Sequence, residues 1–202
     1  MEPFVKVMGS VAPMLAANID TDVIMPKQFL KGIDRNDLDK GVFFDKRFLS
    51  SRKPNPDFVL NRPAWRDAKF LAVGPNFGCG SSREHAVWGL KQLGIRALIG
   101  TSFAGIFYDN CHRNGLLTIE LDDDAFSQFA ALAKGESLGE ITIDLEKQHI
   151  VVTDQICFNF EITPVQKDAL IHGLDAIDTT LQKADSIDAF EKLYLESNPW
   201  VA

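Results

Sequence analysis

The sequence predicts an α/β protein, with one domain built on a sheet of mixed strands and flanking helices, and a helical C-terminal extension. Residues 69–121 alternate short apolar runs with helical patterns, which is typical of parallel strands joined by helices. Residues 140–162 contain short strand-like runs that favour antiparallel pairing. Residues 163–202 have a helical pattern. We therefore place the main domain at 1–162 and the extension at 163–202, packed on the same domain.

Apolar runs and glycines define the first strands and helices. Strands are predicted at FVKVMGSVAPML near the N-terminus, and then at KFLAV, IRALIG and LLTIEL. A helix is expected from about Ser82 to Leu93, because its apolar residues share one face and Gly94 suits the left-handed position after a helix. A second short helix is expected in SFAGIFYDNCHRN, which Gly115 closes. This alternation predicts that part of the sheet is parallel.

The elements after residue 121 follow from similar signals. The run DDD at 122–124 predicts the start of a helix that Gly135 ends. An antiparallel hairpin is predicted from EITIDL and HIVVT, and a further strand from CFNFEI. Pro164 suits a first helical turn and Gly173 suits a helix end. The extension should therefore begin with a helix between these two residues.

Two regions have weaker patterns. The segment SIDAFEKLYLES is amphipathic, with Ile187, Phe190 and Leu193 on one side. Residues 27–66 are poorly periodic, and we expect one or two short helices within a long excursion over the surface. Three side chains of this excursion still need burial: Phe43, Phe44 and Phe48.

Composition excludes several classes of function. The chain has 202 residues, 46% hydrophobic and 24% charged, as expected for a globular protein with a sizeable core. A net charge of -7, without a run of lysine and arginine, argues against a nucleic-acid partner and against an anionic membrane surface. No stretch is long and apolar enough to span a membrane, and we expect no signal peptide. The three cysteines give no disulfide framework, so a cytoplasmic location fits best.

The loop NFGCGSSREHA, residues 76–86, concentrates the chemistry of the chain. Ser81 with Glu84 three residues later predicts a capping box at the start of the following helix. Gly78 and Gly80 would let a ligand approach the backbone closely. Free amides at a helix N-terminus favour an anion, and Arg83 adds a planar fork suited to a carboxylate or phosphate. The loop therefore predicts a site for a small anionic molecule.

Other interpretations of the loop remain open on the residues alone. The glycines could simply turn the chain while Ser81 caps a helix, and the protein could be a non-catalytic anion-binding module. The phosphate-binding motifs and the G-x-S-x-G nucleophile elbow are absent. A serine hydrolase would also need a histidine base, and the sequence gives no reason to choose among its four histidines, which are His85, His112, His149 and His172.

Several motifs in the same order resemble the aconitase superfamily, and within it the small subunits of bacterial isopropylmalate isomerases. They are VAPMLAANIDTDVIMPKQFLKGI, NPDFVLN, NFGCGSSREHA, SFAGIFYDNCHRNGLL, LIHGLDAIDTTL and NPW, and they cover nearly the whole chain. The resemblance implies the swivelling β/β/α domain of aconitases. It also implies a hydro-lyase of leucine biosynthesis that isomerises 2-isopropylmalate to 3-isopropylmalate by dehydration and rehydration. Similar small subunits serve methylmalate (citraconate) or homoaconitate enzymes, which remain alternatives.

The resemblance also implies roles for individual residues. Ser81 would be the general base, with Asp22 close to it in proton handling or hydrogen bonding. Arg83 would grip a substrate carboxylate, and Ser82 would donate to the substrate or orient the loop. Support for the loop would come from Gly78, Gly80, Glu84 and His85. Without the resemblance, Asp20 and Asp22 would be interpreted as ordinary turn-forming aspartates.

A [4Fe-4S] cluster is implied by the resemblance, held by a separate large subunit that joins this chain. Cys79, Cys111 and Cys157 lack the grouping that a cluster needs, so we expect no metal on this chain. Cys79 would lie near the cluster without binding it, and the other two are expected to be buried apolar filler.

Substrate selection is expected in the excursion after Pro26. Phe29, Leu30 and Ile33 could contact a branched alkyl group, although a place in the core explains them equally well. Aconitases have a further substrate arginine in roughly this region. The possible counterparts here are Lys27, Lys31 and Arg35, and the sequence does not choose among them.

Overall fold

The computed structural model describes residues 1–30 and 35–201. Within these ranges, seven strands form one mixed sheet in the order β4-β3-β2-β1-β5-β6-β7. The strands are β1 (Lys6–Met14), β2 (Phe70–Val73), β3 (Ala97–Gly100), β4 (Leu117–Glu120), β5 (Glu140–Asp144), β6 (His149–Thr153) and β7 (Ile156–Asn159).

The helices flank this sheet or extend from it. They are α1 (Thr21–Ile24), α2 (Phe44–Arg47), α3 (His85–Gln92), α4 (Gly105–Asn114), α5 (Asp123–Ala133), α6 (Pro164–His172), α7 (Ala176–Leu181) and α8 (Ala184–Ser197). Short 3-10 turns occupy Lys27–Phe29, Leu38–Lys40, Val59–Asn61 and Pro199–Val201. None of the helices in the described ranges is long and apolar enough to cross a membrane.

The parallel half of the sheet contains β1 to β4, as the alternating pattern of residues 69–121 predicts. β1 pairs with β2, β2 with β3 and β3 with β4, all in parallel. Every residue of β2 and β3 is buried, because helices or other chain segments cover both faces. Helix α3 connects β2 to β3, and α4 connects β3 to β4. The predicted order of strands and helices is thus confirmed.

The antiparallel half of the sheet contains β5, β6 and β7. β5 pairs with β1 and with β6, and β6 pairs with β7, all antiparallel. The hairpin predicted from EITIDL and HIVVT is confirmed, and so is the further strand. Strand β1 therefore joins the two halves, with a parallel neighbour on one side and an antiparallel neighbour on the other.

Two hydrophobic cores lie on opposite faces of the sheet, since successive side chains of a strand point to opposite faces. One core packs Leu71 and Val73 of β2 against α1, α3, α4 and the excursion. The other packs Phe70 and Ala72 against α5, α6 and the antiparallel strands. The excursion contributes Phe43, which is fully buried, while Phe44 and Phe48 are half-buried. It contains the short helix α2 and several 3-10 turns, in line with the expectation.

The C-terminal extension contacts the domain unevenly. Helix α6 runs from Pro164 to a left-handed Gly173, as predicted, and buries Leu170 in the second core. On α8 the predicted amphipathic pattern is present, but Phe190 and Leu193 are each 65% exposed. The packing of the extension thus rests on α6 rather than on α8. The division of the chain at residue 162 stays a prediction.

Candidate active site

Two loops meet at the carboxyl ends of β1 and β2. The segment after β1 leads into α1, and the segment after β2 leads into α3. Backbone hydrogen bonds join them: Gly78 N–H donates to the Ile19 carbonyl at 2.8 Å, and Thr21 N–H donates to the Cys79 carbonyl at 2.8 Å. The carboxyl edge of a parallel sheet is where α/β proteins place their ligands, so this junction is the candidate active site.

Ser81 does not form the predicted capping box. Helix α3 begins at His85, and its N-cap is Glu84, without a side-chain cap hydrogen bond. The Glu84 carboxylate instead accepts from Asn114 Nδ2 of α4 at 3.2 Å. Ser81 therefore lies before the helix, in a half-buried loop position, because both partners of the expected box find contacts elsewhere in the fold.

Thr21 is the side chain that contacts Ser81, and the sequence patterns did not indicate it. The two hydroxyl oxygens lie 2.8 Å apart, and Ser81 N–H donates to Thr21 Oγ1 at 3.0 Å. Thr21 is only 1% exposed. A signal was available in its position between the two aspartates of IDTDV, but only the pairing of the loops reveals the contact.

Arg83 and Asp22 form an ion pair across the two loops. The Arg83 side chain is 27% exposed and that of Asp22 is 48% exposed, so the pair faces solvent. The structure thus brings Asp22 to Arg83, whereas the expected neighbour was Ser81. Asp20 accepts from Val23 N–H at 2.7 Å as the N-cap of α1, which confirms its interpretation as a turn-forming aspartate.

The remaining loop residues contact side chains of α3 and α4. Asn110, a buried polar residue, donates from Nδ2 to the Ser82 carbonyl at 3.1 Å, while Ser82 itself is exposed. The His85 ring packs against Trp88 with centroids 4.8 Å apart. Asn114 Oδ1 accepts from Trp88 Nε1 at 2.9 Å. This network fixes the start of α3, and Asn110 is a second contact of the loop that sequence patterns did not indicate.

The two glycines of the loop differ in their surroundings. Both have positive φ, +79° at Gly78 and +100° at Gly80. A Cβ at Gly78 would overlap the buried ring of Phe107 of α4, so this glycine admits an aromatic side chain rather than a ligand. A Cβ at Gly80 would lie 3.4 Å from Thr21 Oγ1. Gly78 therefore serves the packing of the loop, whereas Gly80 is exposed and its positive φ is the feature that favours glycine there.

None of the histidines is hydrogen-bonded to Ser81 in the part of the chain that the structure describes. His112 is largely buried on α4, and burial lowers its pKa to about 4, so the ring is neutral at neutral pH. Its Nε2 lies 2.9 Å from Thr118 Oγ1, and its Nδ1 has no partner among the residues that the structure describes. The serine–histidine pair of a hydrolase is therefore not assembled at this loop.

Comparisons with known proteins agree over the whole length. The aconitase C-terminal domain model matches residues 1–124, and the model for the C-terminal domain of the 3-isopropylmalate dehydratase small subunit matches residues 177–202. The chain is 57% identical over 201 residues to 3-isopropylmalate dehydratase small subunit 1 of Mannheimia succiniciproducens, covering 100% of this chain and 99% of that one. This chain belongs to the aconitase C-terminal domain family, among the 3-isopropylmalate dehydratase small subunits.

Other relatives of this small subunit give the same result. Small subunit 2 of Salmonella typhimurium is 55% identical, covering 100% of this chain and 96% of that one. The small subunit of Rhizobium etli is 47% identical with complete coverage of both. The crystal structure of the 3-isopropylmalate dehydratase leuD of Methanocaldococcus jannaschii has a TM-score of 0.65 at 26% identity, covering 93% of this chain and 99% of that one. The predicted fold and family are confirmed.

The cysteines of this small subunit do not fit an iron–sulfur cluster. Cys79 is half-buried in the loop, Cys111 is fully buried in the first core, and Cys157 is exposed on β7. Cys111 is buried as expected, but the prediction for Cys157 was wrong, because its position on the edge strand leaves it in solvent. Within residues 1–30 and 35–201, no three potential ligands among His, Cys, Asp and Glu are grouped to hold a metal.

The residues considered for substrate selection that the structure describes have different surroundings. Phe29 and Leu30 are half-buried and pack against the first core, which favours a structural role. Lys27 is exposed, and the Arg35 guanidinium lies 3.8 Å from the centre of the Trp88 ring. Lys31 and Ile33 lie outside the described residues.

Proposed function

We propose that this chain completes the active site of a 3-isopropylmalate dehydratase, which isomerises 2-isopropylmalate to 3-isopropylmalate. The observation that carries the proposal is the convergence of Ser81, Arg83 and Asp22 from two loops 60 residues apart in sequence, at the carboxyl edge of the parallel strands. The names of the relatives supply the substrate, since a hydroxyl and a guanidinium alone fit many dicarboxylates.

Ser81 acts as the general base in this proposal. It removes a proton from the carbon next to one carboxylate, while the hydroxyl leaves the neighbouring carbon and an alkene forms. Return of a proton and a hydroxyl to exchanged carbons gives the second isomer. A serine can do this only where hydrogen-bond donors stabilise its deprotonated form, and the Thr21 hydroxyl lies within hydrogen-bond distance of Ser81 Oγ.

Arg83 grips a carboxylate of the substrate. A guanidinium forms two parallel hydrogen bonds to a carboxylate, which fixes the orientation of the substrate as well as its position. The Asp22 carboxylate pairs with Arg83. The substrate then competes with Asp22, which keeps the side chain extended toward the site. Ser82, whose carbonyl is held by Asn110, leaves its exposed hydroxyl to donate to the same ligand.

The large subunit holds the [4Fe-4S] cluster in this proposal. The cysteines of this chain do not fit such a cluster. Division of the site explains why Asp22 and Ser82 lie exposed at the edge of the sheet, where a second chain can cover them. Neither subunit alone would then turn over the substrate.

The test is to purify this chain with and without a co-expressed large subunit and to follow alkene formation from 2-isopropylmalate by ultraviolet absorbance. We expect activity only in the mixture. Methylmalate and homocitrate, offered to the same preparation, report the choice of substrate. Activity of this chain alone, or an inactive complex that contains an intact cluster, would contradict the proposal.

A further inference from the structure

Two backbone hydrogen bonds of Thr21 hold its hydroxyl beside the proposed base, Ser81. Its N–H donates to the Cys79 carbonyl at 2.8 Å, and its carbonyl accepts from Met25 N–H at 2.9 Å. Thr21 Oγ1 then lies 2.8 Å from Ser81 Oγ and accepts the Ser81 amide at 3.0 Å. One oxygen of the first loop thus contacts both the backbone and the side chain of Ser81.

Burial decides the direction of the bond between the two hydroxyls. If Ser81 donated, Thr21 Oγ1 would accept two hydrogen bonds, and its own proton would need another acceptor. Thr21 is 1% exposed, so water does not provide one, and in the described chain Ser81 Oγ is the acceptor within reach. A buried hydroxyl proton without an acceptor is costly. Thr21 therefore donates and Ser81 accepts.

We propose that Thr21 is a positioning residue that acts through Ser81, with its buried hydroxyl donating to Ser81 Oγ in the free enzyme and throughout the reaction. The inference rests on the proposed role of Ser81. Because Thr21 supplies the proton of this bond, the proton of Ser81 remains free to point toward the ligand. Before Ser81 can act as the base it gives its own proton to solvent, which reaches its half-buried side chain, and the bond from Thr21 then becomes charge-assisted and strengthens. The interaction therefore stabilises the reactive form more than the resting form.

Each of the two loops carries charged or titratable groups next to the pair in sequence. On the loop of Thr21 they are Asp20, whose carboxylate caps α1, and Asp22, which pairs with Arg83. On the opposite loop they are Arg83 and the thiol of Cys79. Asp20 and Asp22 each accept from another donor, and in the described structure the Thr21 hydroxyl is the side-chain group within hydrogen-bond distance of Ser81 Oγ.

The test replaces the hydroxyl without changing the volume of the side chain. In the complex with the large subunit, we expect Thr21→Val to lower kcat roughly 100-fold, because loss of one hydrogen bond to a charged oxygen leaves less of Ser81 in the deprotonated form that acts as the base. KM should stay within about threefold of wild type, and the pH profile of kcat should shift toward alkaline pH, since Ser81 becomes harder to deprotonate. Thr21→Ser keeps the donor and should retain most of the activity.

Thr118→Val is the matched control, since it also removes a buried threonine hydroxyl. Thr118 lies on β4, and its hydroxyl contacts His112 of α4 rather than Ser81. A folded Thr21→Val complex with kcat within twofold of wild type would overturn the inference. A Thr21→Ser variant as impaired as Thr21→Val would overturn it too, because the methyl group would then be what matters. The thermal unfolding temperature of each variant reports folding separately.

A double variant separates this inference from the proposed function. If Thr21 acts through Ser81, Ser81→Ala with Thr21→Val should be no slower than Ser81→Ala alone. Full turnover by Ser81→Ala would remove the proposed role of Ser81 itself. An inactive Ser81→Ala beside a fully active Thr21→Val would leave that role intact and reject only the inference about Thr21.

Discussion

Arg83 and Asp22 form an ion pair whose value lies in position rather than in stability. Both side chains are partly exposed, and exposed pairs contribute only about 0–1 kcal/mol to folding. Under the proposed function, the pair holds the guanidinium at the edge of the site, where a carboxylate ligand can replace Asp22. The proposed role of this pair is thus to bind and orient the ligand rather than to stabilise the fold.

Replacement of Arg83 should therefore affect catalysis and leave folding unchanged. For Arg83→Lys in the assembled enzyme we expect kcat/KM to fall roughly 100-fold, because lysine cannot form the paired hydrogen bonds. The thermal unfolding temperature should change little. Arg113→Lys, at an exposed position of α4, is the matched control and should behave as wild type. Steady-state kinetics that are normal in Arg83→Lys would exclude the assigned role.

His112 should make the stability of this chain depend on pH. Burial lowers its folded pKa to about 4, below the value of about 6.5 expected in the unfolded chain. Between these values the unfolded chain binds a proton that the folded chain does not. The free energy of unfolding should therefore fall as pH drops from 6.5 to 4, with up to about 1.4 kcal/mol per pH unit from this group.

Denaturant titrations across that pH range measure the effect. The slope of the free energy of unfolding against pH should be smaller in His112→Asn than in wild type. His172→Asn, at an exposed position of α6, should keep the wild-type slope. An unchanged slope in His112→Asn would show that other groups control the acid sensitivity.

At the scale of elements, local patterns predicted most of the fold, and long-range contacts decided the exceptions. The glycine at the end of α4 and the strands near residues 70, 98 and 118 follow from periodicity and turn chemistry. The start of α3 does not, because Ser81 bonds to a residue 60 positions away and Glu84 to one 30 positions away. Local patterns also do not predict that β1 pairs with both β2 and β5, because this pairing joins segments that are far apart in sequence.

Substitution of Gly78 tests how the loop packs on α4. Gly78→Ala should destabilise the chain by about 2–4 kcal/mol, the sum of a left-handed backbone and a collision with the Phe107 ring. Gly94→Ala has a positive φ but open space, so it should cost about 1 kcal/mol. Gly105→Ala, with open space and no positive φ, should be close to neutral. Chemical denaturation that finds all three equal would contradict the packing of Phe107 under the loop.

The two halves of the sheet have different roles in the protein. The parallel half carries both loops of the site at its carboxyl edge. The antiparallel half and α6 bury the opposite face and complete the second core. The site therefore lies at the rim of the protein with Asp22 and Ser82 in solvent, which is the arrangement expected of half an active centre.

The turnover of a Ser81→Ala chain assembled with the large subunit tests the proposed site most directly. The measurement is the rate of alkene formation at saturating 2-isopropylmalate, with complex formation checked by gel filtration and Ser127→Ala, on an exposed face of α5, as control. We predict a rate roughly 10²- to 10⁴-fold below wild type in an intact complex, the range expected for loss of a general base. A rate within tenfold of wild type would contradict the role of Ser81, and with it the site proposed for this chain.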